Sequence, residues 1–261
     1  MQPTIILVTG ANKGLGFEVV KKLVTASTDP NKTIILLGSR DIQRGQEAIS
    51  RLCSPPNVHL LQLDTSSQDS IARATNEIKE KYNGHLDILI NNAGIMTRKT
   101  TIDAAREVFA TNYYGIKMIN EYMFPLLQEN GRIVNVSSEV AIEQGKVDTS
   151  GYDSKWPMLI YGMSKAALTA LTRIEARQWS AIKNILVLAV CPGYCATDAT
   201  YHASGARPVE FGADSILCVV NTRPNELENG AFYQDGIKKS QVIACTVDLP
   251  KYEDPEKNKK D

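Results

Sequence analysis

Short apolar runs rich in β-branched residues recur along the chain, at residues 4–8, 33–37, 58–63, 86–90, 132–136 and 184–190. They are continuous rather than alternating, which is the pattern of strands buried on both faces. Longer stretches with helical periodicity separate them, at 15–25, 44–52, 67–81, 102–128, 158–181 and 208–220. Strand followed by helix, repeated, predicts an α/β fold: a doubly wound, mostly parallel sheet with helices on both faces. A seventh short strand is expected at 231–233, which would make the sheet seven-stranded. The segment 251–261 is mostly charged and is expected to stay mobile. With no internal repeat and no linker, residues 1–250 are expected to form one domain.

Composition narrows the partners. At 261 residues roughly 75% of the unfolded surface can be buried, enough for a real core. Lysine plus arginine (29) balance aspartate plus glutamate (29), so no basic field draws the chain to nucleic acid or a membrane surface. A small molecule becomes the default partner. Five cysteines at irregular spacing and three scattered histidines suit reduced thiols better than disulfides, and resemble no metal site. No apolar run reaches membrane-spanning length, and Met1 to Gly10 lacks a basic flank. A cytoplasmic location is therefore expected.

Candidate chemistry begins directly after the first run, with Thr9-Gly10-Ala11-Asn12-Lys13-Gly14-Leu15-Gly16 opening a helix. Gly10 permits a tight turn, while Gly14 and Gly16 let backbone amides and the positive helix end approach a pyrophosphate. A glycine-rich turn taken alone also fits an ordinary strand-ending loop. The end of the second strand reads Gly38-Ser39-Arg40, where a dinucleotide site holds an acidic residue for a ribose hydroxyl or an arginine for a 2′-phosphate. Arg40 and Lys13 therefore point to NADP(H). Asp41 complicates that reading, and both cations also fit solvated surface positions.

Tyr161 and Lys165 stand one helical turn apart in Tyr161-Gly162-Met163-Ser164-Lys165. A lysine cation beside a phenol favours the phenolate and brings proton transfer towards neutral pH. Such a pair is also common on helix surfaces. Ser137 and Ser138 close the run Gly131-Arg132-Ile133-Val134-Asn135-Val136, at the strand end where open α/β sheets bind ligands. Ser138 is placed to donate to a substrate carbonyl as charge develops on it.

Together TGANKGLG, LDILINNAG, TNYYG, NVSS, YGMSK and CPGYCATD resemble the ordered motifs of the short-chain dehydrogenases/reductases, from about Thr4 to Asp198. The likeness is nearest to the NADPH-dependent carbonyl reductases, and it implies a Rossmann-type fold. It further implies a catalytic tetrad of Asn112, Ser138, Tyr161 and Lys165. In that scheme Tyr161 gives the proton, Ser138 polarises the carbonyl, and Lys165 tunes Tyr161 and holds the nicotinamide ribose. Asn112 positions a relaying water. Asp64 and Thr65 resemble the adenine-contacting pair, and Asn91, Ala93 and Gly94 the segment supporting the adenine ribose. Pro192, Gly193 and Thr197 resemble the stretch that wraps the nicotinamide. The expected activity is NADPH-dependent hydride transfer to a ketone, aldehyde or quinone.

Two departures bear on the substrate. Ser138 and Tyr161 are 23 positions apart, against roughly a dozen in ordinary members, a long loop at the site mouth. The extra stretch holds Tyr152, Lys155, Trp156 and Pro157. Monomeric carbonyl reductases carry a larger insertion there, so a monomer is expected. The lid after Thr197 is short, and Met96, Trp156, Met163 and Tyr194 are candidate pocket walls for bulky or varied carbonyls. Competing readings are a nucleotide-binding regulator without turnover, a sugar-nucleotide epimerase or dehydratase, and an alcohol dehydrogenase working oxidatively.

Overall fold

The computed structural model describes residues 2–140 and 158–239. The long loop with Tyr152, Lys155, Trp156 and Pro157, together with Cys245 and the tail from Lys251, lies outside the described residues. Among the described residues eight strands form one sheet: β1 (Thr4–Val8), β2 (Thr33–Ser39), β3 (Val58–Gln62), β4 (Leu86–Asn91), β5 (Leu127–Val136), β6 (Leu186–Cys191), β7 (Phe232–Gln234) and β8 (Ile237–Lys238). Their spatial order is β3-β2-β1-β4-β5-β6-β7-β8. All neighbours are parallel except β7 and β8. This is the expected Rossmann-type sheet, extended by a two-residue antiparallel edge that carries too little pattern to read in sequence.

Among the described residues seven α-helices flank the sheet: α1 (Gly14–Ala26), α2 (Ile42–Arg51), α3 (Gln68–Lys81), α4 (Ile102–Phe109), α5 (Ile116–Met123), α6 (Leu159–Lys183) and α7 (Val209–Asn221). Successive strand side chains point to opposite faces, and the core divides accordingly. Ile6, Val8, Ile35, Leu37, Val134 and Val190 pack with Phe17 and Val20 of α1 and Ile216 of α7. Ile5, Leu7, Leu36, Leu89, Ile133 and Val187 pack with Ile71 and Ile78 of α3 and Ile119 of α5. Each such buried aliphatic contributes about 1.5–3 kcal/mol relative to exposure.

The single helix expected over 102–128 is interrupted. A π-helical turn, Ala110–Gly115, separates α4 from α5, and a short 3₁₀ turn, Phe124–Leu126, ends the segment. Close packing explains the glycine in it. A Cβ on Gly115 would fall 2.3 Å from the carbonyl oxygen of Thr65. Single π turns recur at functional sites, and this one carries Asn112.

Candidate active site

The glycine loop leaves β1 through Gly10, at φ +61°, and enters α1 through Gly14, at φ +56°. Both conformations are in the left-handed region that favours glycine. Gly16 also has a packing reason: its Cβ would fall 2.4 Å from Asn92 Nδ2 and 2.8 Å from the Gly10 carbonyl oxygen. Asn92 Nδ2 donates to the carbonyls of Thr9 (2.9 Å) and Gly10 (3.2 Å), and the Ala93 amide donates to Thr9 Oγ1 at 2.9 Å.

Helices α2, α3 and α4 begin on side-chain caps from Asp41, Ser67 and Thr101. Helix α1 begins on Lys13 with no side-chain cap and no acidic residue in its first turn. A Cβ on Gly14 would meet only Thr197, in ordinary contact 3.8 Å from its Cγ2, so the loop borders the segment beyond β6. A helix start of this kind suits a phosphate anion. The residues present therefore fit the phosphate-bearing dinucleotide expected from sequence.

Arg40 is exposed at the end of β2. Asp41, the complicating neighbour, is engaged elsewhere, its carboxylate accepting from the Arg44 amide at 2.9 Å as the α2 cap. Lys13 departs from expectation. Its Nζ lies 2.7 Å from Asp198 Oδ2, beyond β6, and Asp198 is also bonded to His202 Nε2 at 3.2 Å. Lys13 first, and then His202, hold the Asp198 carboxyl below the usual carboxylate range. Asp64 accepts from the Ser66 amide and hydroxyl at 2.9 and 2.7 Å, and Thr65 is buried beside the π turn.

The tetrad candidates meet at the carboxyl ends of β4 and β5. Asn112, fully buried, exchanges bonds with the Ile95 backbone, Oδ1 accepting at 2.9 Å and Nδ2 donating at 2.8 Å. Nδ2 also donates to Ser164 Oγ at 3.1 Å. Both amide hydrogens are thus committed to protein partners, tying the segment after β4 to α6. Gly94 fits between the candidates: its Cβ would lie 3.3 Å from Asn112 Oδ1 and 3.5 Å from Lys165 Nζ.

Lys165 is buried, and its Nζ donates to the Val136 carbonyl at 2.7 Å. Burial pushes its ammonium down to about 8. Desolvation first and the Cys191 thiol second push the Tyr161 phenol up to about 12, against a lowering by the Ser138 hydroxyl. The lowering expected from Lys165 is therefore not what the phenol experiences in this structure. Lys165 Nζ stands 5.8 Å from the Tyr161 ring centroid and is itself poorly solvated. A neutral phenol results, suited to giving a proton.

Beyond β6, Gly193 adopts φ +74° and its amide donates to Cys191 Sγ at 3.3 Å. Thr197 caps the 3₁₀ turn Asp198–Thr200. Of the expected pocket walls, Met163 and Tyr194 are exposed, Met96 is half-buried, and Trp156 lies outside the described residues. Sequence reading missed a buried polar chain. Asn91 Nδ2 donates to Asn120 Oδ1 (2.6 Å) and Asn135 Oδ1 (2.8 Å), and Asn120 Nδ2 donates to Glu175 Oε2 (2.8 Å). Burial pushes the Glu175 carboxyl up to about 8. Asn91, expected to support a ribose, is wholly buried in that chain.

A doubly wound sheet with an uncapped glycine loop and a Tyr-Lys pair beside a strand-end serine defines a short-chain dehydrogenase/reductase. The short chain dehydrogenase family model matches residues 4–207, and the chain belongs to that family. It is 33% identical to "Short-chain dehydrogenase/reductase 1" of Saponaria officinalis, over 89% of this chain and 94% of that protein. It is 32% identical to "Carbonyl reductase [NADPH] 3" of Rattus norvegicus, over 89% of this chain and 96% of that one. Among solved structures, the NADPH-bound carbonyl reductase from chicken fatty liver aligns with TM-score 0.75 at 26% identity, covering 89% of this chain and 96% of that one.

Proposed function

We propose that this oxidoreductase is an NADPH-dependent carbonyl reductase, acting on a ketone, aldehyde or quinone. The observation that carries the reading is the Tyr161 phenol, kept neutral by burial and influenced by the Ser138 hydroxyl, at the strand ends beside an uncapped glycine loop. The NADPH-bound and NADPH-named relatives support the choice of cofactor, as does Arg40. Gly10, Asn12, Gly14 and Leu15 would hold the pyrophosphate at the start of α1, and Arg40 with Lys13 the 2′-phosphate. Asp64, Thr65, Ala93 and Gly94 would border the adenosine half, and Pro192, Gly193 and Thr197 the nicotinamide half.

When bound, NADPH supplies the hydride. Ser138 donates a hydrogen bond to the substrate carbonyl oxygen, and Tyr161 gives that oxygen its proton. Lys165, anchored on the Val136 carbonyl, would hold the ribose, its ammonium 5.8 Å from the Tyr161 ring. Asn112 keeps the segment after β4 and helix α6 in register. A phenol pushed up to about 12 favours the reductive direction, since oxidation of an alcohol needs the phenolate. Residues 1–250 act as one dinucleotide-binding and catalytic unit in this reading, and the long loop before Tyr161 supports a monomer.

The test is consumption of NADPH, with NADH as control, over quinones, α-diketones, ketoesters and aldehydes. NADPH-selective turnover lost in Tyr161→Phe is expected. Tight NADPH binding without turnover across the panel would instead mark a nucleotide-binding regulator.

A further inference from the structure

Arg207 has no place in the roles above, yet it makes the most extensively paired guanidinium contact among the described residues. Its Nη1 and Nη2 donate to the two Asp235 carboxylate oxygens at 3.0 and 2.8 Å, and Nη2 also donates to the Phe211 carbonyl at 2.6 Å. The side chain lies flat on Gly193, so that a Cβ there would be 3.0 Å from Arg207 Cδ, Cζ and Nε. Arg207 Nε is buried with no hydrogen-bond partner, which fits a group placed for its surface contact as much as for its charge.

The backbone around it closes a ring. The Arg207 amide donates to the Tyr194 carbonyl at 2.8 Å, and the Ala196 amide to the Arg207 carbonyl at 2.9 Å. The Asp235 amide donates to Ser215 Oγ, whose hydroxyl donates to the Cys191 carbonyl, each at 2.8 Å. Strand end, loop, arginine, carboxylate and serine therefore return to the residue at which the loop begins. Gly193, at φ +74°, has its far side pressed against this clamp.

We infer that Arg207, held by Asp235, is a positioning residue that fixes the Pro192–Thr197 loop in the shape that receives the nicotinamide half of the cofactor. The inference rests on the reading of that loop given above. A bidentate arginine–carboxylate fork sets both distance and angle, and a displacement of about 1 Å at a substrate-positioning element costs up to a hundredfold in rate. Arg207 acts through Gly193 and touches no reacting atom.

The experiment compares binding of NADP⁺ and of adenosine 2′,5′-bisphosphate, which lacks the nicotinamide half, by calorimetry on the full chain. In Arg207→Leu, NADP⁺ binding is expected to weaken about tenfold and adenosine 2′,5′-bisphosphate by less than about twofold. Asp235→Asn should weaken NADP⁺ binding similarly, and the double variant no further, because the pair acts as one unit. Should Arg207→Leu fail to fold, Asp235→Asn and Arg207→Lys carry the same expectation, since neither Asn nor Lys can complete the fork. NADP⁺ binding unchanged, or both ligands weakened equally, would overturn the proposal. If the unsubstituted chain bound neither ligand, the functional reading would fall, and the clamp's role with it.

Discussion

Two effects compete for the phenolic proton of Tyr161: burial and the Cys191 thiol destabilise the phenolate, while the Ser138 hydroxyl favours it. Burial wins, so turnover in the reductive direction is expected to hold steady up to alkaline pH. The reverse oxidation should keep rising through and beyond pH ~10, because with the phenol pushed up to about 12 the base form is still a minority there; initial rates in both directions against pH check this. Tyr161→Phe should lower reduction by about 10²–10⁴-fold while NADPH binding, followed by fluorescence, changes little. Arg40→Asp is expected to lower kcat/KM for NADPH by about ten- to a hundredfold, the worth of a charge-assisted contact, with NADH affected far less. Tyr161, Ser138 and Arg40 were legible because each sits at a fixed offset from a strand or in a local motif. Glu175 was not. Its role depends on Asn120, 55 positions away, and in sequence it is one more polar residue on a long helix. Its raised pKa, about 8 against 4.5, means that the folded state holds the proton more tightly than the unfolded one. Stability is thus lost as pH rises from about 4.5 towards 8. Glu175→Gln should be more stable than the parent above pH 8 by on the order of a few kcal/mol, the difference shrinking towards pH 4.5. Urea unfolding at several pH values measures it.

Among the elements, the strands and most helices fall within a few residues of the positions predicted, since buried parallel strands and amphipathic helices carry the strongest patterns. The segment 102–128 is the exception. Its apolar period runs on through the π turn, and only Gly115, a lone glycine inside a helical pattern, marked the site. Gly115 is needed because α5 approaches the Thr65 carbonyl, 2.3 Å from where a Cβ would stand. Gly115→Ala is therefore expected to destabilise the fold by about 1–3 kcal/mol and to disturb Asn112, three residues away. Chemical denaturation reads the first effect and kcat the second; an unperturbed variant would show that the turn tolerates the displacement.

Across the whole molecule, the active-site groups come from the carboxyl ends of strands spread along most of the chain, gathered where the order reverses between β1 and β4. That gathering was legible because the βαβ rhythm fixes which strand ends lie together. Side-chain pairs bridging distant segments were not: Lys13 meets Asp198 across 185 positions, and Arg207 meets Asp235 across 28, separations with no periodic trace. Lys13 is the clearest case, a residue read from its loop as a phosphate ligand and found paired with a carboxylate from beyond β6. The central claim, hydride transfer from NADPH to a carbonyl with Tyr161 as proton donor, is tested most directly with NADPH deuterated at the nicotinamide C4. A ketone substrate is turned over and the product alcohol is analysed by mass spectrometry. Deuterium on the carbinol carbon is expected with the unsubstituted chain, and only traces of labelled alcohol with Tyr161→Phe. Unlabelled alcohol, or labelled alcohol formed equally well by Tyr161→Phe, would contradict it.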